Sequence, residues 1–247
     1  MATQKRIFVD EALYEVKSEG VSGSNIFKDD EIKKLFSDEL KITLKKYDYT
    51  CVSWSTTNDH YKLVVKASDI PISLFMQRLN SVFAKKFNKI KNRKGVVFYR
   101  RFASAIVQEN AECFKTVLKY VHLNPVRSGC CTLKELCNYK WCGHAALLNF
   151  NGNDPIVDKN AVFKFFPGND PVGSYKKFIM SEIYNQAELY IVAKLRAAND
   201  GLQRFRNTKA VIIGDSTFTK NTLSRARYRN VQKANNCAKD IVLETVH

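Results

Sequence analysis

The chain has 247 residues, enough to bury a substantial core in one large domain or in one domain with an appendage. Lysine and arginine number 40 against 24 acids, a formal charge of +16 with a pI near 9.5, which is the footprint of a polyanion binder and more than solubility requires. No stretch approaches the roughly 20 apolar residues of a membrane helix, and the seven cysteines lack Cys-x-x-Cys pairs or framework spacing, so they read as reduced cytosolic thiols and not as a zinc site.

In chain order, Leu13-Tyr14-Glu15-Val16 alternates as a first strand, and Gly20 to Asn25 is a turn rich in Gly and Ser. From Asp29 the period changes to that of a helix: Ile32, Leu35, Phe36, Leu40 and Leu44 recur three and four apart, with acids early and Lys45 and Lys46 late. Strands are expected at about 49 to 55 and 61 to 67. Pro71 opens a second helix with an apolar stripe of Phe75, Leu79, Val82, Phe83, Phe87 and Ile90. Gly95 then releases the chain into a strand from Val96 to Val107, and a helix from Asn110 to Tyr120 stops before Asn124-Pro125. The order strand, helix, strand, strand, helix, strand predicts an α+β, ferredoxin-like split βαβ fold.

Residues 149 to 173, rich in Gly and Pro, predict a loop, and a domain boundary is expected near 150, giving domains 1–150 and 151–247. The second part reads as a small helical extension, with helices at about 174 to 185 and 187 to 198, a short apolar strand or turn at Ala210 to Ile213, and a basic tail from Lys220 to Lys233.

The stretch with chemical content is Asn58 to Val65. As a strand it puts His60, Lys62 and Val64 on one face and Asp59, Tyr61 and Leu63 on the other. Two imidazoles at 60 and 62 could hold a divalent cation, but a lysine ammonium has no lone pair to offer, so a two-histidine site is excluded. His60 is left as a weak metal candidate, with Asn88 a conceivable oxygen donor, and a structural hydrogen bond is the better expectation.

Asp59-His60-Tyr61-Lys62-Leu63-Val64-Val65 resembles Asn-His-Tyr-His-Leu-Leu-Val, the metal-binding strand of the REP-associated tyrosine transposases and related HUH single-strand transposases. Met76-Gln77-Arg78-Leu79-Asn80, Arg100-Arg101-Phe102 and Tyr120-Val121-His122-Leu123-Asn124-Pro125-Val126-Arg127-Ser128-Gly129 are similar to three further family motifs, with weaker echoes at 173–178 and 212–218. The resemblance implies an HUH-nuclease-like domain. It also implies that the second metal histidine is Lys62 and that the nucleophilic tyrosine is Phe83, so that no catalytic set is intact at His60, Lys62 and Phe83. Tyr61 and Tyr99 are the neighbouring hydroxyls that could stand in.

The resemblance and its two departures lead to the expectation of a domesticated, inactive transposase-like protein that binds DNA as a regulator or architectural factor, cytoplasmic and associated with a bacterial nucleoid. Hairpin, single-stranded or site-specific DNA is the expected partner. No cofactor is expected; magnesium or manganese enters only under the alternative, an active metal-dependent nuclease or transposase with a rearranged site. RNA binding by the sheet is the other alternative. The nucleic-acid-binding candidates are Lys62, Arg78, Lys85, Lys89, Arg93, Arg100, Arg101 and Arg127, with Tyr99 as a stacking surface. Glu19 stands where the family has an arginine, so the family's DNA contacts are expected to be altered.

Overall fold

The computed structural model describes residues 8–21, 24–99, 101–148, 156–181, 185–200 and 211–226. Six elements form the predicted split βαβ: β1 (Leu13–Glu19), α1 (Asp30–Tyr47), β2 (Thr50–Thr56), β3 (His60–Lys66), α2 (Ile72–Ile90) and β4 (Ala103–Val107). The strands pair antiparallel in the order β2-β3-β1-β4, so β1 and β3 lie at the centre. This is the ferredoxin-like α+β arrangement expected from the order of elements.

Period-2 alternation divides the residues of β3 between the two faces. Tyr61, Leu63 and Val65 enter an aromatic core beneath α1 and α2, where the Tyr61 ring lies 4.3 Å from Phe36, 6.1 Å from Phe27 and 6.0 Å from Phe98. His60, Lys62 and Val64 point to the other face, which is roofed by α3 (Ala111–His122) and the single turn α4 (Asn124–Arg127). Asn110 caps α3 by accepting from Cys113 N–H at 2.8 Å. Pro125 does not end helical structure here. It sits in the first turn of α4, where its missing N–H costs nothing.

The predicted strand from Val96 is shorter than expected. Only 103–107 is regular, because Gly95 takes φ +105° and residues 99 and 101 bend; Phe98 alone bridges to Gly20.

The later elements, α5 (Gly143–Leu148), α6 (Lys159–Phe163), α7 (Pro171–Met180), α8 (Gln186–Asp200), β5 (Val211–Ile213) and α9 (Ser216–Arg225), close both edges of the sheet. At β2, Thr56 N–H donates to the Trp141 carbonyl and Asp158 N–H to the Cys51 carbonyl, each at 2.9 Å. At the other edge β5 pairs parallel with β4. Edge strands covered in this way are withdrawn from strand addition. Residues 149–155, where a boundary was expected, lie outside the described residues, as do Arg227, Arg229 and Lys233 of the tail.

A buried polar triad ties α3 to this extension. The Tyr175 hydroxyl lies 2.9 Å from His122 Nδ1 and 2.6 Å from His144 Nδ1, with all three side chains inside the core. One hydroxyl proton cannot serve two acceptors, so Tyr175 donates to one imidazole and accepts from the other. Burial holds His122 well below its ordinary range, and it lowers His144 to about 4, with Lys176 adding to the effect. Both histidines are therefore neutral in the fold, whereas the unfolded chain takes up protons below about pH 6.5. Stability is expected to be full above that pH and to fall as pH drops from about 6.5 toward 4, by on the order of 3 kcal/mol for His144 alone. Urea midpoints across that window check this; a midpoint that stays flat would contradict it.

Candidate functional site

The face of β3 that carries His60 and Lys62 is polar and closed. Lys62 is 3% exposed and Glu15, on the adjacent β1, is 0% exposed. Lys62 Nζ lies 3.6 Å from Glu15 Oε1 and donates to the Tyr120 hydroxyl at 3.1 Å, while standing 4.2 Å above the Tyr120 ring. The Arg127 guanidinium lies 4.6 Å from the same ring, and Arg127 also donates to the Tyr120 carbonyl. Burial pulls the Lys62 ammonium down to about 8, with Glu15 opposing the shift. Lys17, which pairs in register with Lys62, is held by Glu19 at 3.0 Å.

His60 is engaged at both nitrogens. Nδ1 lies 2.8 Å from Asp59 Oδ1 and 3.0 Å from Thr57 Oγ1, and Nε2 lies 3.1 Å from Asn124 Nδ2. With Nδ1–H donating to Asp59, Nε2 accepts from Asn124, whose amide also reaches Ser55 Oγ at 3.4 Å. The hydrogen bond to His60 brings Asp59 down to about 2. Asp59 was expected to point away from His60. It reaches the imidazole because β3 begins at residue 60, and strand alternation does not bind the residue before it.

These donors do not fit a divalent cation. The second imidazole is an ammonium, the Glu15 carboxylate is already held by that ammonium, Asp59 accepts from His60 Nδ1–H, and the remaining imidazole lone pair accepts from Asn124. Asn88, the conceivable extra donor, stands on α2 under the opposite face of the sheet, where its Nδ2 donates to the Gly95 carbonyl at 2.9 Å. Among the described residues no group of three His, Cys, Asp or Glu is placed to hold a metal.

Lys62 needs correction as a phosphate contact, and Phe83 lies apart from it. Phe83 does not face the His60 and Lys62 pair. Its ring sits under the opposite face of the sheet, 5.1 Å from Phe27, 5.8 Å from Phe36 and 5.7 Å from Phe98, so a hydroxyl at 83 would enter the core. Lys62, proposed to meet a phosphate, is enclosed by Glu15 and Tyr120.

The hydroxyl that does meet the pair is Tyr120, which the sequence alone did not single out. Its signal was spacing: Tyr120 and Asn124 lie four residues apart in one motif, and four residues along a helix return to the same face. Here they address Lys62 and His60 respectively.

The remaining candidates separate into two groups. Arg78 is committed inside the fold, donating to Thr43 Oγ1 at 2.7 Å and lying 3.8 Å from Glu39, and Arg127 is held by Tyr120. Lys85, Lys89 and Arg101 are exposed, as is Tyr99 at 59%. Arg93 packs 5.6 Å from the Phe87 ring and donates to the Val96 carbonyl at 3.1 Å. Arg100 lies outside the described residues.

Residues 23–124 match the family model described as "Transposase IS200 like". The chain is similar in fold to a REP-associated tyrosine transposase solved bound to a REP hairpin, with a TM-score of 0.50 and 11% identity over 64% of this chain and 92% of that one. Weaker likenesses are to a putative transposase from Deinococcus radiodurans R1 (TM-score 0.36, 16% identity, 44% of this chain and 88% of that one) and to tRNA(His) guanylyltransferase from Saccharomyces cerevisiae (TM-score 0.37, 14% identity, 73% and 81%). Neither of these two bears on function. No curated protein sequence matches the chain.

Two substitutions test the geometry of the two faces. Phe83→Tyr buries a hydroxyl among phenyl rings and is expected to lower stability by about 1–3 kcal/mol. Glu15→Gln leaves the Lys62 ammonium without its carboxylate and is expected to lower it by on the order of 3 kcal/mol. Both are read as urea midpoints. A neutral Glu15→Gln would mean that the pair does not hold the site together.

Proposed function

We propose that the chain is a domesticated transposase-fold protein that binds nucleic acid, DNA first, without a divalent metal and without cutting it, and that it serves as a regulatory or architectural factor on the nucleoid. The observation that carries this reading is the Lys62–Glu15 pair, which fills with its own charges the position where the family resemblance expects a second metal imidazole. The charge of +16 supports the nucleic-acid partner. Engagement of both His60 nitrogens supports the absence of metal chemistry.

A second reading has one observation in its favour. The Tyr120 hydroxyl lies 3.1 Å from a lysine whose ammonium burial pulls down to about 8. In its neutral form that amine could take the phenol proton while the phenolate oxygen attacks phosphorus and expels an alkoxide, with no metal involved. Burial of Lys62 and Tyr120 weighs against it.

The test is incubation with labelled single-stranded hairpin DNA, with manganese and with EDTA, resolved on native and denaturing gels. The binding reading predicts a native shift indifferent to EDTA and no denaturant-resistant adduct. An adduct formed in EDTA and lost in Tyr120→Phe would establish the second reading instead. A shift that disappears in EDTA and returns with manganese would overturn the metal-free account.

A further inference from the structure

We infer that Cys130 and Cys131 form a modification site, a vicinal dithiol that a peroxide closes into a reversible disulfide. The inference is independent of what the chain binds.

The six described cysteines fall into two groups. Cys51, Cys113 and Cys142 are buried, and Cys142 is further closed off: its S–H donates to the His122 carbonyl at 3.6 Å, and burial pushes the thiol up to about 12. Cys130, Cys131 and Cys137 reach solvent. Of these, 130 and 131 are consecutive, so the covalent chain itself sets their separation.

The fold presents the pair on a held loop. Gly129, just past α4, takes φ +68°, and the Gly129 and Cys130 N–H groups donate to the Val126 and Pro125 carbonyls at 3.1 and 2.9 Å. On the other side the N–H and the hydroxyl of Thr132 both donate to Glu135 at 2.8 Å. Tyr139 stands against the pair: its hydroxyl donates to the Thr56 carbonyl at 2.9 Å and is hydrogen-bonded with Cys130. Since the phenol proton is committed to Thr56, the Cys130 S–H is the donor in that contact. Cys131 packs partly against the core, and burial, with Cys130 and Glu135 beside it, pushes its thiol up to about 11.

These surroundings set the order of events. Cys131 is the poorer thiolate, so Cys130 reacts first. Its sulfur attacks one peroxide oxygen; an S–O bond forms, the O–O bond breaks, and the departing hydroxide takes up the proton that Cys130 released. The Cys131 sulfur then attacks the sulfenic sulfur; the S–S bond forms, the S–O bond breaks, and hydroxide leaves with the Cys131 proton as water. The two sulfurs together lose two electrons and the peroxide gains them. Because the second thiol is held in its protonated form, the sulfenic acid lasts long enough to be trapped.

Reversibility follows from the spacing. Adjacent Cα atoms lie about 3.8 Å apart, closer than the roughly 4.4–6.8 Å of ordinary disulfides, so the ring is strained and easily reduced. A disulfide also carries no S–H. Closing it withdraws the Cys130 hydrogen bond from Tyr139, the residue that ties this loop to the end of β2.

The experiment treats the full chain with hydrogen peroxide, alkylates the remaining thiols and digests with trypsin. The peptide Ser128–Lys134 contains both sulfurs and no other. It is expected to escape alkylation, to run unlinked and about 2 Da lighter than its reduced form, and to recover when glutathione is added before alkylation. Cys131→Ser is expected to leave a sulfenic acid at Cys130 that dimedone traps, and Cys130→Ser to abolish the mass change. The inference would be overturned if that peptide is alkylated on both sulfurs at a peroxide dose that already oxidises the exposed Cys137. Linkage of the peptide to another cysteine peptide, or a ring that glutathione does not reopen, would overturn it as well.

Discussion

The interaction on which the site depends is the ammonium of Lys62, buried on the polar face of a central strand. A charge taken out of water costs several kcal/mol unless it is paired and hydrogen-bonded. The surrounding groups answer that cost: Glu15 from β1 and the hydroxyl and ring of Tyr120 from α3, against the opposing charge of Arg127, which is packed on the same ring. The carboxylate holds the ammonium and the ammonium holds the phenol, so the helix that roofs the sheet is fixed to its central strands. Where metal chemistry would need lone pairs, this chain has made an ion pair.

The two faces of the sheet have separate tasks. Under α1 and α2 the face is apolar, with Phe27, Phe36, Tyr61, Phe83 and Phe98 in mutual contact, and it specifies the fold. Under α3 and α4 the face is polar, and its imidazole and ammonium are answered by partners from other elements: His60 by Asn124, Lys62 by Glu15 and Tyr120. The later chain closes both sheet edges and is keyed to α3 through Tyr175 and its two histidines. Charge that the interior does not use is left outside, at the end of α2.

The sequence made the first six elements legible because their periods are clean: the stripe of α1, the alternation of β3 and the start of α2 at Pro71 all fall within a residue or two of the structure. Phe83 was read on the apolar stripe of α2 and is buried in the core, but strand parity alone does not say which helix covers which face, so its distance from His60 was not legible. Tyr120 was missed because its partner, Lys62, lies 58 residues away, and such a pairing is created only by the fold. Glu15 was missed for a similar reason: an acid in an alternating strand reads as solvated until α3 is laid over it. The covering of both sheet edges depends on long-range pairing that leaves little local signal.

The most direct test of the central claim is the electron paramagnetic resonance of Mn²⁺ titrated with purified wild-type protein and with His60→Ala. If Lys62 and Glu15 have replaced the metal, the signal of free Mn²⁺ persists undiminished with either protein. A signal quenched by wild type and restored in His60→Ala would mean that a cation does bind at His60, and the account of this site would be wrong.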